Sequence, residues 1–459
     1  MMQLIFLLLF LAVFALFFTG IEQLVFKGNE RFLLYFIVLL FPFYQTLLSL
    51  TLLYTGSEVL VTIIRLTKDI VLVIAVVSFV FYRRNLFRTE WSFNRLDLVF
   101  VIFYCLALLY MVAPIGSAAF SSKVIYFKGI SFMGISYFMG RNSKMNFSKL
   151  KGILHTILGI TIVAFVTVLL ERNFNTHFHS INGYAHYQDV VNDVDPSGHY
   201  DLSWTFEASD GNKRFGSVFA NPLEFASSML LSISIAIILF FKSPYRNNRL
   251  VYGFFVVVGV LCVYLSYSRA ALGAVFGMLV LIALLFRYYK LIYLGLFLFC
   301  VSIVYLMYFA HEDTRYFVID TITFQESSAV GHVIEWFLAA ESMIENPLGI
   351  GLATSGNAGG VDSELKIGGE NQFLIIGVQL GFLGMFLYLY LVYLSIKMPL
   401  AVYRHSHSVW EQVAPFIAST TKFGLILPMF TSNIEINLYI STVSWWFVGY
   451  SLSKYNGKT

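Results

Sequence analysis

The chain alternates long apolar runs with short polar connections. Runs of about 17–25 apolar residues are long enough to cross a bilayer as helices. They fall near residues 2–20, 32–54, 66–82, 96–113, 124–140, 152–170, 223–241, 249–265, 270–286, 291–309, 372–396, 413–430 and 434–453. This pattern predicts about 13 membrane-spanning helices, in a range of about 12–14. The run at 124–140 is the weakest, because it contains glycines and is entered by Lys128. Two connections are long, at residues 171–222 and 310–371. No internal repeat or low-complexity linker divides the chain. The expectation is a single all-α polytopic membrane domain over residues 1–459 with two external loops.

Composition agrees with lipid as the main solvent. The 459 residues are 58% hydrophobic and only 12% charged, with a mean hydropathy of +0.76. A soluble core cannot hide that much apolar surface. The net charge of +4 is too small and scattered to suggest a nucleic-acid partner. Cys105, Cys262 and Cys300 lie inside apolar runs and read as small buried hydrophobes. The first run lacks a basic n-region and a small-residue cleavage site, so it is expected to be a retained helix and not a signal peptide.

Basic residues favour the cytoplasmic ends of spans. One set of alternating connections holds Lys27 and Arg31, then Arg83, Arg84, Arg88 and Arg95, then Arg141, Lys144, Lys149 and Lys151. It continues with Lys242, Arg246 and Arg249, then Arg287 and Lys290, Lys397 and Arg404, and finally Lys454 and Lys458. These connections are assigned to the cytoplasm. Both long loops then face outward, with the C-terminus inside and the N-terminus outside.

Loop one collects His177, His179, His186, Asp189, Asp193, Asp195, His199 and Asp201. Their spacing matches no standard metal motif, and a solvated loop gathers such residues without a metal. Asp193-Val194-Asp195 has the D-x-D form used with nucleotide sugars, which are cytoplasmic, so the match is discounted for an external loop. The loop closes with Lys213-Arg214-Phe215-Gly216. Asn221 suits a helix N-cap and Pro222 the first helical turn. Arg214 therefore stands just outside the membrane at the start of a span. Alone it reads as an interfacial arginine that reaches the headgroups. Glu224 complements the dipole of that helix start.

A second arginine changes that reading. "LSYSRAALG", residues 265–273, leaves no room for a loop between two apolar runs. Arg269 sits at the external end of this corner, where basic residues are disfavoured. A charge in such a place is a functional candidate by default. Two guanidiniums at one membrane edge offer planar, permanently charged, bidentate donors suited to a diphosphate. The structural alternative for Arg269 is bonding to helix-end carbonyls, and the residues alone leave both open.

Loop two opens with His311-Glu312-Asp313. Its stretch 331–351 places Val333, Trp336, Phe337, Ala340, Met343 and Ile344 at helical spacing, which predicts an amphipathic helix on the membrane or under the loop. Asn346-Pro347 ends it, and a glycine-rich turn from Gly349 to Gly360 is flexible enough to shape a pocket. Glu370 and Asn371 stand at the start of the next span. Asn371 is suited to capping it and Glu370 to facing its dipole. A carboxylate at a membrane-edge pocket can also act as general base on a sugar hydroxyl.

Taken in order, these pieces resemble the O-antigen ligase and polymerase family of bacterial surface-polysaccharide enzymes. The matching residues are Arg214-Phe215-Gly216 with Asn221-Pro222, Ser268-Arg269, Asn346 to Gly351, and Glu370-Asn371-Gln372-Phe373-Leu374. The likeness covers roughly the second half of the chain. It implies a polytopic glycosyltransferase of the GT-C type in the bacterial cytoplasmic membrane, acting at the outer face by inverting, metal-independent transfer without a cofactor. It implies an undecaprenyl-diphosphate-linked oligosaccharide, membrane lipid and a chain-length regulator protein as partners. Polymerases move the glycan onto another lipid-linked repeat unit, and ligases move it onto a terminal acceptor. On this resemblance Arg214 and Arg269 hold the diphosphate, Glu370 or His332 is the base, and Lys213, Asn221, Asn371 and Trp336 contact substrate.

Two departures matter. Ligases usually carry a histidine before the asparagine of the last motif, where this chain has Glu370; that favours a polymerase. The family commonly has an arginine four residues before the loop tryptophan, where this chain has His332 before Trp336. Lys422 and Glu435 are intramembrane charges expected to pair, to snorkel or to line the lipid cavity, with Lys422 as a further substrate contact. Lys68-Asp69 reads as a local structural pair.

Overall fold

The computed structural model describes residues 2–29, 31–82, 93–208, 211–312, 319, 323, 327–361, 364–406 and 408–453. Arg83, Arg84, Arg88, Asp313, Lys454 and Lys458 lie outside the described residues.

The long helices are α1 (Met2–Phe26), α2 (Arg31–Thr55), α3 (Glu58–Tyr82), α4 (Arg95–Val112), α5 (Phe120–Arg141), α6 (Phe147–Asn173) and α7 (Pro222–Lys242). They continue with α8 (Arg246–Leu265), α9 (Arg269–Leu285), α10 (Tyr289–Tyr308), α11 (Ser327–Glu345), α12 (Gln372–His405), α13 (Val413–Thr431) and α14 (Leu438–Ser451). The protein is an all-α polytopic membrane protein. No strand occurs among the described residues, only an isolated bridge between Glu207 and Lys213.

Among the described residues, 9 helices are long and apolar enough to cross a membrane: α1, α2, α4, α6, α7, α8, α10, α12 and α13. The other four expected spans coincide with α3, α5, α9 and α14, which fall short for separate reasons. Helix α3 carries Arg65, Lys68 and Asp69, and α5 carries Lys123 and Lys128. Helices α9 and α14 have only 17 and 14 residues. Nearly every residue of α14 is buried. It contacts other helices more than lipid, so it needs less apolar length. The expected start of that span, at 434, is a separate 3-10 turn, Ile434–Ile436.

One buried core runs from Val13 to Leu452. The closest crossing joins α5 and α14. A Cβ on Gly140 would lie 2.2 Å from Trp446 O, and one on Gly449 would lie 2.0 Å from Tyr137 O. Small residues let these two backbones touch, as is usual where lipid supplies no hydrophobic drive between helices. At the basic end, Arg31 donates to Lys144 O, Arg141 to Leu452 O and Lys242 to Gln412 Oε1. The basic connections therefore share one end of the bundle. Helix α4 starts there with a capping box, in which Asn94 Oδ1 accepts from Asp97 N–H and Asp97 Oδ2 accepts from Asn94 N–H.

Several expectations need correction. Cys105 and Cys300 are exposed on the outer surface of the bundle and only Cys262 is buried, because lipid-facing positions are as apolar as core ones. Loop one is a folded unit and not a solvated loop. It contains helices at Phe178–Ile181 and Tyr184–Asn192, with Tyr184, Leu202 and Phe206 in a small core. His177 and His179 are buried against Phe206, and Glu171 accepts from Phe178 and Ser217 N–H groups. Burial, with a smaller effect of Lys213, lowers the His177 pKa to about 4, and burial lowers that of His179 to about 3.

The span expected at 372–396 is a broken helix. Gly381 has φ 68° and ψ −173°, which interrupts α12 between a short outer segment and a long inner one. The turn after Asn346 fills that break. Ile350 N–H donates to Val378 O (2.8 Å), Gly351 N–H to Gln379 O (3.1 Å) and Phe382 N–H to Pro347 O (3.0 Å). A Cβ at position 381 would lie 2.4 Å from Pro347 O, so only glycine fits. The turn expected to be flexible is thus seated, with Leu352, Ala353, Thr354 and Ser355 fully buried.

Candidate functional site at the outer face

The ends of α7, α9, α12, α13 and α14 that lie opposite the basic connections, and are expected to face outward, form one continuous face. Glu224 accepts from Tyr439 N–H (3.2 Å), tying the start of α7 to that of α14. Gln372 Oε1 accepts from Glu435 N–H (3.0 Å), tying α12 to the turn before α14. Phe373 packs on Phe430, with ring centroids 5.1 Å apart, and Gly273 of α9 lies against Leu427. Four of these helices begin at this face. Their positive dipole ends therefore point outward together, which favours an anion there.

Each expected site residue has a definite place. Asn221 caps α7, its side chain accepting from Glu224 N–H (2.8 Å) with Pro222 in the first turn. Glu224 completes the cap by accepting from Ala220 N–H (3.3 Å), so this carboxylate both caps α7 and links it to α14. Arg214 is half-buried, and its N–H donates to Phe206 O (2.8 Å), which holds the segment to the loop-one core. Lys213 is engaged elsewhere: its ammonium donates to Asn175 O and lies 4.7 Å from the Tyr200 ring centroid.

Arg269 is the first residue of α9 and half-buried. Ser268 caps that helix by accepting from Ala271 N–H (3.4 Å). A cation at this position opposes the helix dipole, so helix stability does not account for it.

Asn371 caps α12. Its Oδ1 accepts from Phe373 N–H (3.0 Å) and Leu374 N–H (3.2 Å), and the residue is buried. Just before it, Glu370 Oε2 contacts His332 Nδ1 of α11. Two residues singled out separately along the chain therefore meet. Trp336 follows one turn later, with its ring centroid 6.5 Å from that of His332. Helix α11 is seated by Ala339 and Met343 against Val378. Of the expected apolar stripe, Met343 is buried in that contact, while Val333, Phe337 and Ile344 are exposed.

Lys422 lies inside the bundle with no exposed surface. Its Nζ is 4.0 Å from Glu435 Oε1 and 3.7 Å from the Trp445 ring centroid. Pairing, the first of its expected roles, is what the structure shows. Sequence reasoning missed Gln379, which organises the seated turn. Its Oε1 accepts from Ala353 N–H (2.7 Å), and its Nε2 donates to Tyr126 OH (2.6 Å) and Ser355 O (3.2 Å). The available signal was a glutamine and a glycine two residues apart within an apolar run.

The curated proteins include no match to this chain. A family model does match, over residues 254–389, and it is described as O-antigen ligase. The matched segment runs from α8 into the inner part of α12. It includes Arg269, His332, Trp336, Glu370 and Asn371, and it leaves Arg214, Lys213, Asn221 and Lys422 outside. Over this segment the chain is similar to the O-antigen ligase family, in agreement with the resemblance carried by its motifs.

Proposed function

We propose that this protein is a polysaccharide polymerase of the bacterial cytoplasmic membrane. It transfers a glycan from undecaprenyl diphosphate to a lipid-linked repeat unit at the outer face. The family match supports glycan transfer of the ligase or polymerase type. The observation that carries the reading is Arg269: a half-buried cation on the positive end of α9, at a face where other helix N-termini converge. A lipid diphosphate bound there would be attracted by the guanidinium and by the helix ends together.

In this reading Arg214 and Arg269 hold the diphosphate and stabilise the charge that grows as the anomeric C–O bond breaks. The acceptor hydroxyl oxygen attacks the anomeric carbon from the opposite side, which inverts it. The hydroxyl proton passes to a base and the lipid diphosphate leaves. The His332–Glu370 contact makes a pair: the carboxylate orients the imidazole, which takes the proton, and then offsets the positive charge that forms on it. The imidazole that ligases carry before the asparagine is here supplied from α11. Holding two lipid-anchored substrates together provides the rest of the rate.

A transporter would share the broken helix α12 and the intramembrane charges Lys422 and Glu435. The Val378 and Gln379 carbonyls at the break are taken by the Ile350 and Gly351 amides, and the two charges face each other. Arg214→Ala and Arg269→Ala are each expected to abolish long glycan chains while the protein still inserts. Normal chain-length ladders from both variants would overturn the proposal. A deletion strain that still builds lipid-linked polymer, but leaves it on its carrier, identifies a ligase instead.

A further inference from the structure

A second cluster of charge lies away from this face, and the proposed reaction does not use it. Arg65, Lys68 and Asp69 share one side of α3, at spacings of three and four residues. Lys128 reaches across from α5, with its Nζ 2.8 Å from Asp69 Oδ2, while Lys68 Nζ is 3.5 Å from Asp69 Oδ1. Arg65 is exposed, and among the described residues its guanidinium has no hydrogen-bond or ion-pair partner. Three cations against one carboxylate leave a local charge of +2.

The cluster belongs to the outer half of the membrane. At about 1.5 Å per residue, Arg65 and Lys68 lie roughly 10–15 Å along α3 from its outer end at Glu58. Tyr44 OH of α2 donates to Arg65 O (3.2 Å), and the outer part of α2 meets loop one where Leu53 lies against Gly183. Positive residues are disfavoured on this side, and an uncompensated cation in lipid is costly. The Asp69 bridge accounts for Lys128 as a tie between α3 and α5, but not for Arg65. Beside the cluster, Ile63, Leu66 and Ile70 of α3 and Val124 and Ile125 of α5 are exposed apolar residues.

We propose that Arg65, Lys68 and Lys128 form a headgroup site for a lipid carrying a diphosphate, whose chain lies along the exposed apolar residues of α3 and α5. Arg65 supplies a bidentate donor and the two lysines supply point charges. Asp69 sets the excess at +2, which suits a diphosphate better than the single charge of a common anionic phospholipid. The occupant rests on the polymerase reading, in which the protein must bind a second lipid-diphosphate substrate as well as the first.

The test is binding of farnesyl diphosphate to the purified full-length protein in detergent, read by native mass spectrometry. Wild type is expected to bind two equivalents. The exposed double substitution Arg65→Gln/Lys128→Gln should weaken one of them by about tenfold or more, and Lys128→Arg should keep it. Arg214→Ala/Arg269→Ala should lose the other equivalent and retain this one. Unchanged binding by Arg65→Gln/Lys128→Gln overturns the site. Equal competition by phosphatidylglycerol overturns the diphosphate assignment. If Arg214→Ala/Arg269→Ala keeps both equivalents while Arg65→Gln/Lys128→Gln loses one, the clamp at the outer face fails and this site stands.

Discussion

Replacing Glu435 by glutamine and Lys422 by methionine, singly and together, tests what holds the outer face from beneath. The Glu435 carboxylate accepts from Tyr388 OH (2.7 Å), from Trp445 Nε1 (3.0 Å) and from the Ser441 hydroxyl. It thereby joins α12 to α14 just below Gln372, and it faces Lys422 of α13. Lys422 is 0% exposed, and its nearest opposite charge is Glu435 at 4.0 Å. Two unit charges at that distance attract by about 4 kcal/mol at an effective dielectric constant of about 20. Removing either one strands the other in the core, at a cost of about 3–5 kcal/mol. Glutamine keeps an acceptor for Tyr388 and Trp445, and methionine keeps most of the lysine stem. The loss in each single variant should therefore be mainly electrostatic. The double variant leaves no stranded charge and should recover much of it, with a coupling energy of about 3 kcal/mol. The assay is denaturant unfolding in detergent, followed by tryptophan fluorescence. Additive single effects, with coupling below about 0.5 kcal/mol, would refute the pair.

Other consequences can be checked separately. Gly381→Ala should destabilise by at least about 1–3 kcal/mol, because alanine must adopt φ 68° and its Cβ meets Pro347 O; intact proteolytic protection of residues 347–355 would contradict this. His332→Ala and Glu370→Gln should each lower turnover by about 10²–10⁴-fold, and their combination should cost little more than one alone. Fully multiplicative losses would separate the two roles. Loop one should loosen in acid. His177 and His179 are held neutral, with pKa values of about 4 and about 3 against the ordinary 6.5. The unfolded loop therefore binds more protons below pH 6.5. The stabilisation is fully present above that value and is lost as pH falls toward about 4, by up to about 1.4 kcal/mol per unit for each histidine. Hydrogen exchange across 177–219 that does not change over this window would contradict the assignment.

Much of the architecture was legible along the chain, because lipid makes a simple demand. A helix facing it must be apolar for most of its length, and that demand is written in consecutive residues. The same logic located the ends: Asn221-Pro222 and Asn371 are caps whose chemistry is local, and each caps the helix expected of it. Arg214 and Arg269 stood out because a cation at an outer membrane edge is improbable without a reason.

Composition and local spacing settled the helical class, the positions of the spans and the residues worth suspecting. They could not show that loop one folds around His177 and His179, since burial depends on what a loop packs against. They could not show that α12 breaks at Gly381, because the break is stabilised by amides about 30 residues away. Nor could they bring His332 to Glu370, or Lys128 to Asp69, across helices. The tertiary structure decided those pairings because contact between distant segments is set by how whole helices cross. Crossing depends on shape at every point of contact, such as the bare backbones of Gly140 and Gly449, and not on any one stretch of sequence.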